Sequence, residues 1–178
     1  MTFDNTDGQV LRIELESVAT QSDTSSQVYL CGACQRLGRC RMGIEWEYLD
    51  PDGNALYRLE CSRENEGGAN VAHGGWTAGV LDEIVGHVAV LRGRLAVTGT
   101  LQVKFVKPVP IEQALTARAT LDRIEGSRWY VDAVLELESS GAELARATAI
   151  LVSRDEGHFD RHEEWMRTQT RKDSDGAS

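Results

Sequence analysis

The sequence predicts an α+β fold in which an antiparallel sheet wraps around one long buried helix. The first observation is a stretch of 19 residues, 73–91, with apolar residues on almost every side of a helix. The second is a pair of alternating segments before it, joined by the turn signal at residues 50–53. The third is a series of four alternating segments after it. Six strands and one helix without a broad polar face indicate a single sheet packed around that helix.

The central helix, at 1.5 Å per residue, spans about 29 Å and crosses a small domain from end to end. Polar and charged residues interrupt the run too often for a membrane-spanning helix. Its apolar residues are Trp76, Val80, Leu81, Ile84, Val85, Val88 and Leu91.

The strands are predicted at residues 44–49, 55–61, 95–107, 115–124, 128–138 and 143–153. The last three form an antiparallel meander, because short turn signals separate them. Strict alternation in segment 95–107 predicts two faces. One face carries Val97, Gly99, Leu101, Val103 and Phe105, and the other carries Thr98, Thr100, Gln102 and Lys104.

The chain is predicted to contain one folded domain with a segment on either side. Residues 1–43 form an N-terminal extension that ends in a cysteine-containing leader, and residues 44–154 form the sheet-and-helix domain. Residues 155–178 contain an amphipathic helix at 158–170 and a tail, 171–178, that we expect to be disordered.

Composition limits the classes of partner. The chain carries 28 acidic and 19 basic residues, a formal net charge of −9, which argues against general nucleic-acid binding. An anionic ligand would therefore need a local basic patch. No apolar run near the N-terminus is typical of a signal peptide, so we expect a cytoplasmic protein without a membrane partner.

Four cysteines, Cys31, Cys34, Cys40 and Cys61, leave two interpretations open. They could supply four thiolates to a structural zinc ion. The favoured interpretation is reduced thiols in a leader before the first strand, so no bound metal and no cofactor are predicted.

Two features of the central helix indicate chemistry. It begins at His73-Gly74-Gly75 without a Ser, Thr or Asp cap, so we expect backbone N–H groups with partial positive charge to face outward. Asp82 has no ion-pair partner three or four residues away and would be a costly carboxylate if buried, whereas Glu83 can pair with His87.

The spacing of these features predicts a dimer. Gly74 and Asp82 are eight residues apart, which is about 12 Å along a helix, so one small reacting group cannot contact both. If both act on one atom, the carboxylate must come from an antiparallel copy of the helix. This geometry implies a twofold homodimer with composite sites, and a dimer of dimers stays open.

His73-Gly74-Gly75 followed by Asp82 resembles the hotdog-fold acyl-CoA thioesterases of the phenylacetate-pathway (PaaI-like) type, in the thioesterase superfamily. The run at residues 98–110 is similar to the strand that follows the helix in that family. The resemblance covers about residues 44–154. It implies a hotdog fold and hydrolysis of an acyl-CoA thioester to the free acid and CoA.

Roles follow from this resemblance and from thioester chemistry. The backbone N–H of Gly74 or Gly75 would stabilise the developing oxyanion. The resemblance assigns the acid nine positions after His73, which is Asp82, as general base or nucleophile. Thr98 matches a strand Thr that hydrogen-bonds the catalytic carboxylate or water in relatives. His73 either positions the thioester or only caps the helix.

For the CoA phosphates, the candidate groups are Arg94, Lys104, Lys107 and Arg128, with Gly75 at the helix start. Arg92 is a further candidate. Residues 73–110 carry four basic and two acidic residues, whereas acidic residues predominate in the whole chain. Ordinary surface solubility explains the same side chains.

Two alternative functions stay open. A hotdog enoyl-thioester hydratase would use an Asp and a His in the loop before the helix, whereas Asp82 and His87 both lie inside it. A non-catalytic acyl-CoA-binding or interaction protein would keep the glycine helix start without needing Asp82.

Overall fold

The computed structural model describes residues 2–4, 10–12 and 28–175. Contacts divide the chain into two compact units, one of Met1–Ser25 with Asp155–Ser178 and one of Ser26–Arg154. Much of the predicted extension, 1–43, lies outside the described residues, as do the last three residues of the predicted tail. The predicted domain boundaries stay predictions.

The first unit contains β1 at Thr2–Asp4, β2 at Val10–Arg12 and the C-terminal helix α3 at His158–Asp175. The two strands pair antiparallel. Helix α3 extends five residues beyond its predicted end at 170, so residues 171–175 belong to the helix rather than to the tail. Among the described helices, none is both long enough and apolar enough to cross a membrane.

The second unit begins with the short helix α1 and contains the central helix α2. Its predicted strands all form, with ends within two residues of those expected. The loop before α2 adds a short 3-10 turn at Arg63–Asn65 and a small hairpin of β5 and β6. The elements in order are α1 Gly32–Leu37, β3 Ile44–Leu49, β4 Ala55–Glu60, β5 Glu66–Gly68, β6 Val71–Ala72, α2 Gly74–Val90, β7 Ala96–Phe105, β8 Ala114–Glu125, β9 Arg128–Leu137 and β10 Ala142–Ser153.

The main sheet is antiparallel, with strand order β3-β4-β8-β9-β10-β7, and α2 packs against β4, β7, β8, β9 and β10. This arrangement confirms the predicted α+β fold. Each large apolar side chain fully buried here contributes about 1.5–3 kcal/mol to folding. The largest fully buried ones include Tyr57, Leu59, Leu81, Ile84, Leu115, Leu135 and Leu151.

The structure of β7 differs from the two faces that strict alternation predicted for segment 95–107. Thr98 pairs with Leu151 and Thr100 pairs with Ile150, so Gly99 is an extra residue in a β-bulge. Directly paired residues share a face, and Leu151 is fully buried against the core. Thr98 therefore lies on the face toward α2, whereas the alternation placed it with Thr100 on the opposite face.

Candidate active site

The start of helix α2 is capped, contrary to the expectation from sequence. The Nδ1 atom of His73 accepts a hydrogen bond from the Gly75 N–H at 2.9 Å, and Thr77 N–H donates to the His73 carbonyl at 3.1 Å. The imidazole supplies the acceptor that Ser, Thr or Asp usually provides. Of the two predicted oxyanion donors, Gly75 is thus occupied. The Gly74 N–H has no acceptor among the described residues and is exposed.

The loop before α2 is fitted closely around this start. His73 N–H donates to the Asn65 carbonyl at 2.7 Å, and Ala72 N–H donates to the Val109 carbonyl at 2.8 Å. A Cβ at Gly67 would lie 2.6 Å from the His73 Cα, so only glycine fits there. The hydrogen bonds and the close approach place the Gly74 N–H at a defined position.

An aromatic ring lies beside the helix start. A Cβ built at Gly74 would lie 3.7 Å from Cε1 and 3.8 Å from Cζ of Phe105, at the end of β7. Phe105 is 57% exposed. The alternation placed Phe105 on the apolar face, but nothing in the sequence indicated that this ring lies beside Gly74.

Asp82 and Glu83 are adjacent in sequence and have opposite environments. Asp82 is half-buried and has no hydrogen bond or ion pair to any described residue. Glu83 binds His87 Nε2 at 3.2 Å, as predicted from their spacing. That hydrogen bond, with smaller contributions from the charges of His87 and Arg41, lowers the pKa of Glu83 against the effect of burial. Asp82 is therefore the available carboxylate of the helix.

His87 also binds a second carboxylate, which the sequence did not predict. Glu47 is buried at 3% exposure, and its Oε2 lies 2.6 Å from His87 Nδ1. Its Oε1 accepts the Tyr29 N–H at 2.7 Å, and the Tyr29 ring stands edge-on to the imidazole at 5.6 Å. A bulge at Glu45 turns Glu47 inward, since Ile44 pairs with Leu59 and Trp46 with Arg58. The sequence of the strand does not distinguish Glu47 from Glu45, which is exposed.

Burial would lower the pKa of His87, but hydrogen bonds to Glu47 and Glu83, with their charges, outweigh it and raise the pKa to about 9. Because the folded pKa exceeds the unfolded value of about 6.5, the ion cluster stabilises the fold fully below that pH. The contribution is lost as the pH rises through about 9 and amounts to roughly 3 kcal/mol. We expect denaturant unfolding of the wild type to show this extra loss relative to His87→Gln.

Parallel pH profiles for wild type and His87→Gln would contradict this assignment. Other titrating groups are common to both proteins, so they cancel in the comparison. If His87→Gln does not fold, NMR titration of the wild-type imidazole gives the pKa directly, and a value at or below about 6.5 would also contradict it.

The candidate phosphate-binding side chains divide between the two ends of β7. Lys104 and Lys107 lie at the end that carries Phe105, although Lys104 shares the outer face with Thr100. Arg94 precedes the other end. Arg128 is at that end too, because it pairs with Val152, which pairs with Val97. A strand of ten residues spans about 33 Å, so one phosphate cannot contact both groups in a single chain.

None of the four cysteines forms a disulfide in the described part of the chain: Cys31 is partly exposed, and Cys34, Cys40 and Cys61 are buried. Within residues 28–169, whose side chains the structure describes, no cluster of three or more His, Cys, Asp or Glu could hold a metal ion. We expect purified protein to contain no stoichiometric zinc, and a chelator to leave its Tm unchanged. One zinc per chain by elemental analysis, lost in a Cys31→Ser variant, would favour the metal interpretation instead.

Comparison with known proteins gives a family match. The thioesterase superfamily matches residues 69–143, which run from the loop before α2 to the first residues of β10. Acyl-coenzyme A thioesterase THEM4 of Rattus norvegicus is 25% identical over 117 residues, 64% of this chain and 50% of its own length. The chain spans half or less of the length of the curated relatives it matches.

Solved structures share the fold. The BH2602 protein of Bacillus halodurans, determined with CoA, is 27% identical, with a TM-score of 0.53 over 61% of this chain and 73% of that chain. The E. coli PaaI protein of the phenylacetic acid degradation operon is 17% identical, with a TM-score of 0.54 over 58% of this chain and 74% of that chain. The second likeness concerns the fold alone, and both confirm the predicted hotdog architecture.

Proposed function

We propose that this protein is a thioester hydrolase that cleaves an acyl-CoA to the free acid and CoA, because residues 69–143 match the thioesterase superfamily. The observation that carries the proposal is that helix α2 presents both a hydrogen-bond donor and a carboxylate that have no partner among the described residues. Its first residue offers an exposed N–H without an acceptor among the described residues, and Asp82 on the same helix offers a carboxylate without a partner there.

Gly74 acts as the oxyanion donor in this proposal. Its N–H lies in the first turn of a helix of 17 residues, where the helix dipole adds partial positive charge. Negative charge that develops on the thioester oxygen is therefore stabilised there more than the neutral carbonyl. Loss of one such donor typically costs about 10²–10³ in kcat. Gly75 contributes by holding the His73 ring, and the ring acts as the helix cap.

Asp82 acts as the general base or as the nucleophile. A free carboxylate either removes a proton from the attacking water or attacks the carbonyl carbon itself. The bulge at Gly99 turns Thr98 toward α2, where its hydroxyl is able to hydrogen-bond the carboxylate or the water. Support for this role of Thr98 is the register of β7, in which Thr98 pairs with the buried Leu151.

A twofold dimer completes the site. Gly74 and Asp82 are about 12 Å apart along α2, too far to share one thioester carbon. Strand β7 is at the edge of the sheet, and Phe105 and Val106 at its end are exposed at 57% and 40%. A second copy that runs antiparallel along this edge would bring its Asp82 toward Gly74. A dimer of dimers stays a prediction.

The same dimer would bring together the basic side chains that lie at opposite ends of β7 in one chain. An antiparallel copy would place Arg94 and Arg128 of the second subunit near the end of β7 that carries Lys104 and Lys107. Four cations would then be available to the phosphates of a CoA ester, in a chain whose net charge is −9. The CoA in the structure of the Bacillus halodurans protein supports this class of ligand. A cytoplasmic location stays a prediction.

The structure disfavours the hydratase alternative. His87 is buried at 5% exposure between Glu47 and Glu83, so it is not available to act with Asp82 on an enoyl thioester.

A panel of acyl-CoA esters, with the released thiol measured, tests the proposal. We expect turnover of at least one short, medium, long-chain or aromatic ester. Hydration of an enoyl-CoA without thiol release would favour the hydratase. Saturable binding of acyl-CoA without any turnover would favour the non-catalytic binding protein.

A further inference from the structure

Two cysteines at the start of helix α1 have no part in the proposed hydrolysis. Cys31 is the N-cap residue and Cys34 is the third residue of the helix. Side chains at these two positions face each other across the first turn, as in a capping box. Residues three apart in a helical turn are neighbours, so the two sulfur atoms are within reach of each other.

The two thiols have opposite properties. The amide groups of Cys34 and then Ala33, with the Cys34 side chain, lower the pKa of Cys31 against the effects of burial and of the Glu83 charge. Burial raises the pKa of Cys34, whose sulfur accepts the Arg41 N–H at 3.3 Å.

The two thiols also differ in their exposure to solvent. Cys31 is partly exposed, whereas Cys34 is 3% exposed. An accessible thiol that ionises readily beside a buried thiol that keeps its proton is the arrangement of a reactive cysteine and its resolving cysteine.

From this geometry we propose that Cys31 and Cys34 form a redox site, at which a hydroperoxide oxidises Cys31 and Cys34 then closes a reversible disulfide. The Cys31 thiolate attacks the peroxide, an S–O bond forms, and the O–O bond breaks. The leaving oxygen takes a proton and departs as water or an alcohol. Cys34 then loses its proton and attacks the Cys31 sulfur, and the sulfenic hydroxyl leaves as water. The dithiol gives two electrons, and an external thiol restores it.

The other cysteines provide internal controls. Cys61 is fully buried, and burial with the nearby Glu60 raises its pKa to about 11. Cys40 is 8% exposed and is close enough to Cys34 to influence its pKa. A disulfide between Cys34 and Cys40 is therefore the competing product that an experiment has to distinguish.

Trypsin makes that distinction. Cys31 and Cys34 share the tryptic peptide 13–36, whereas Cys40 is released with Arg41, and Cys61 is in peptide 59–63. The reduced full-length protein is treated with hydrogen peroxide, alkylated and digested without reduction. We expect peptide 13–36 to lose two hydrogen atoms and both alkylation sites, and dithiothreitol to restore them. Peptide 59–63 should remain fully alkylated.

Variants test each role. Cys31→Ser should react with limiting iodoacetamide about tenfold more slowly, because the accessible thiolate is gone. Cys34→Ser should give a sulfenic acid that is trapped by dimedone. Cys61→Ser should behave as wild type. Peroxide that links residues 34 and 40, or leaves peptide 13–36 reduced while Cys61 reacts, would overturn the proposal. These readouts are thiol chemistry, so they do not depend on hydrolase activity.

Discussion

The variant Asp82→Asn is expected to lower kcat for acyl-CoA hydrolysis by about 10²–10⁴-fold, the contribution typical of a positioned general base. If Asp82 is instead the nucleophile, the loss is larger, because the amide cannot form the covalent intermediate. Stability should change by only about 0.5 kcal/mol or less, since Asp82 has no hydrogen bond or ion pair with the described residues. Steady-state kinetics and denaturant unfolding measure the two quantities.

The adjacent Glu83→Gln is a matched control with the opposite expectation. It removes the carboxylate that binds His87 Nε2 at 3.2 Å and leaves Asp82 in place. We expect it to destabilise the fold, because the buried imidazolium loses one of its two carboxylates, and to keep most activity. An Asp82→Asn protein with near wild-type kcat, or an activity loss confined to Glu83→Gln, would show that the wrong carboxylate has been assigned.

The second large expected effect is the recovery of activity in a heterodimer, because Gly74 of one subunit and Asp82 of the other form each site. Asp82→Asn and Gly74→Leu are each expected to lose nearly all activity as homodimers, the latter because the leucine side chain blocks the helix start. In a heterodimer of the two, one site receives both defects and the other receives neither. Up to half of the wild-type activity per heterodimer should return. Two affinity tags allow purification of the heterodimer, and turnover is measured on it directly.

Gly74→Ala is the matched control for the blocking variant. A Cβ at this position meets Phe105 at 3.7 Å, an ordinary contact, and the backbone N–H is retained. We expect Gly74→Ala to fold and to keep most of its activity. Verified heterodimers that stay inactive, while both parent variants are folded and dimeric, would place each site within a single subunit.

Local sequence determined the secondary-structure elements and one ion pair of the central helix. Apolar residues on all sides of the stretch 73–91 required a buried helix, and alternating segments on both sides required strands to cover it. The pair Glu83 and His87 was predicted correctly because residues four apart on a helix are neighbours regardless of the rest of the fold. Spacing along one helix also predicts that Gly74 and Asp82 of one chain do not contact the same atom.

Only the tertiary structure decided which strand residues face the helix. Side chains alternate with a period of two, so one extra residue moves every following side chain to the other face. The bulge at Glu45 turns Glu47 inward to His87, and the bulge at Gly99 turns Thr98 toward α2. Each bulge is defined by the pairing with another strand, β4 in one case and β10 in the other. No pattern within the bulged segment records that pairing, and for this reason the sequence predicted the strands but not their inward-facing polar residues.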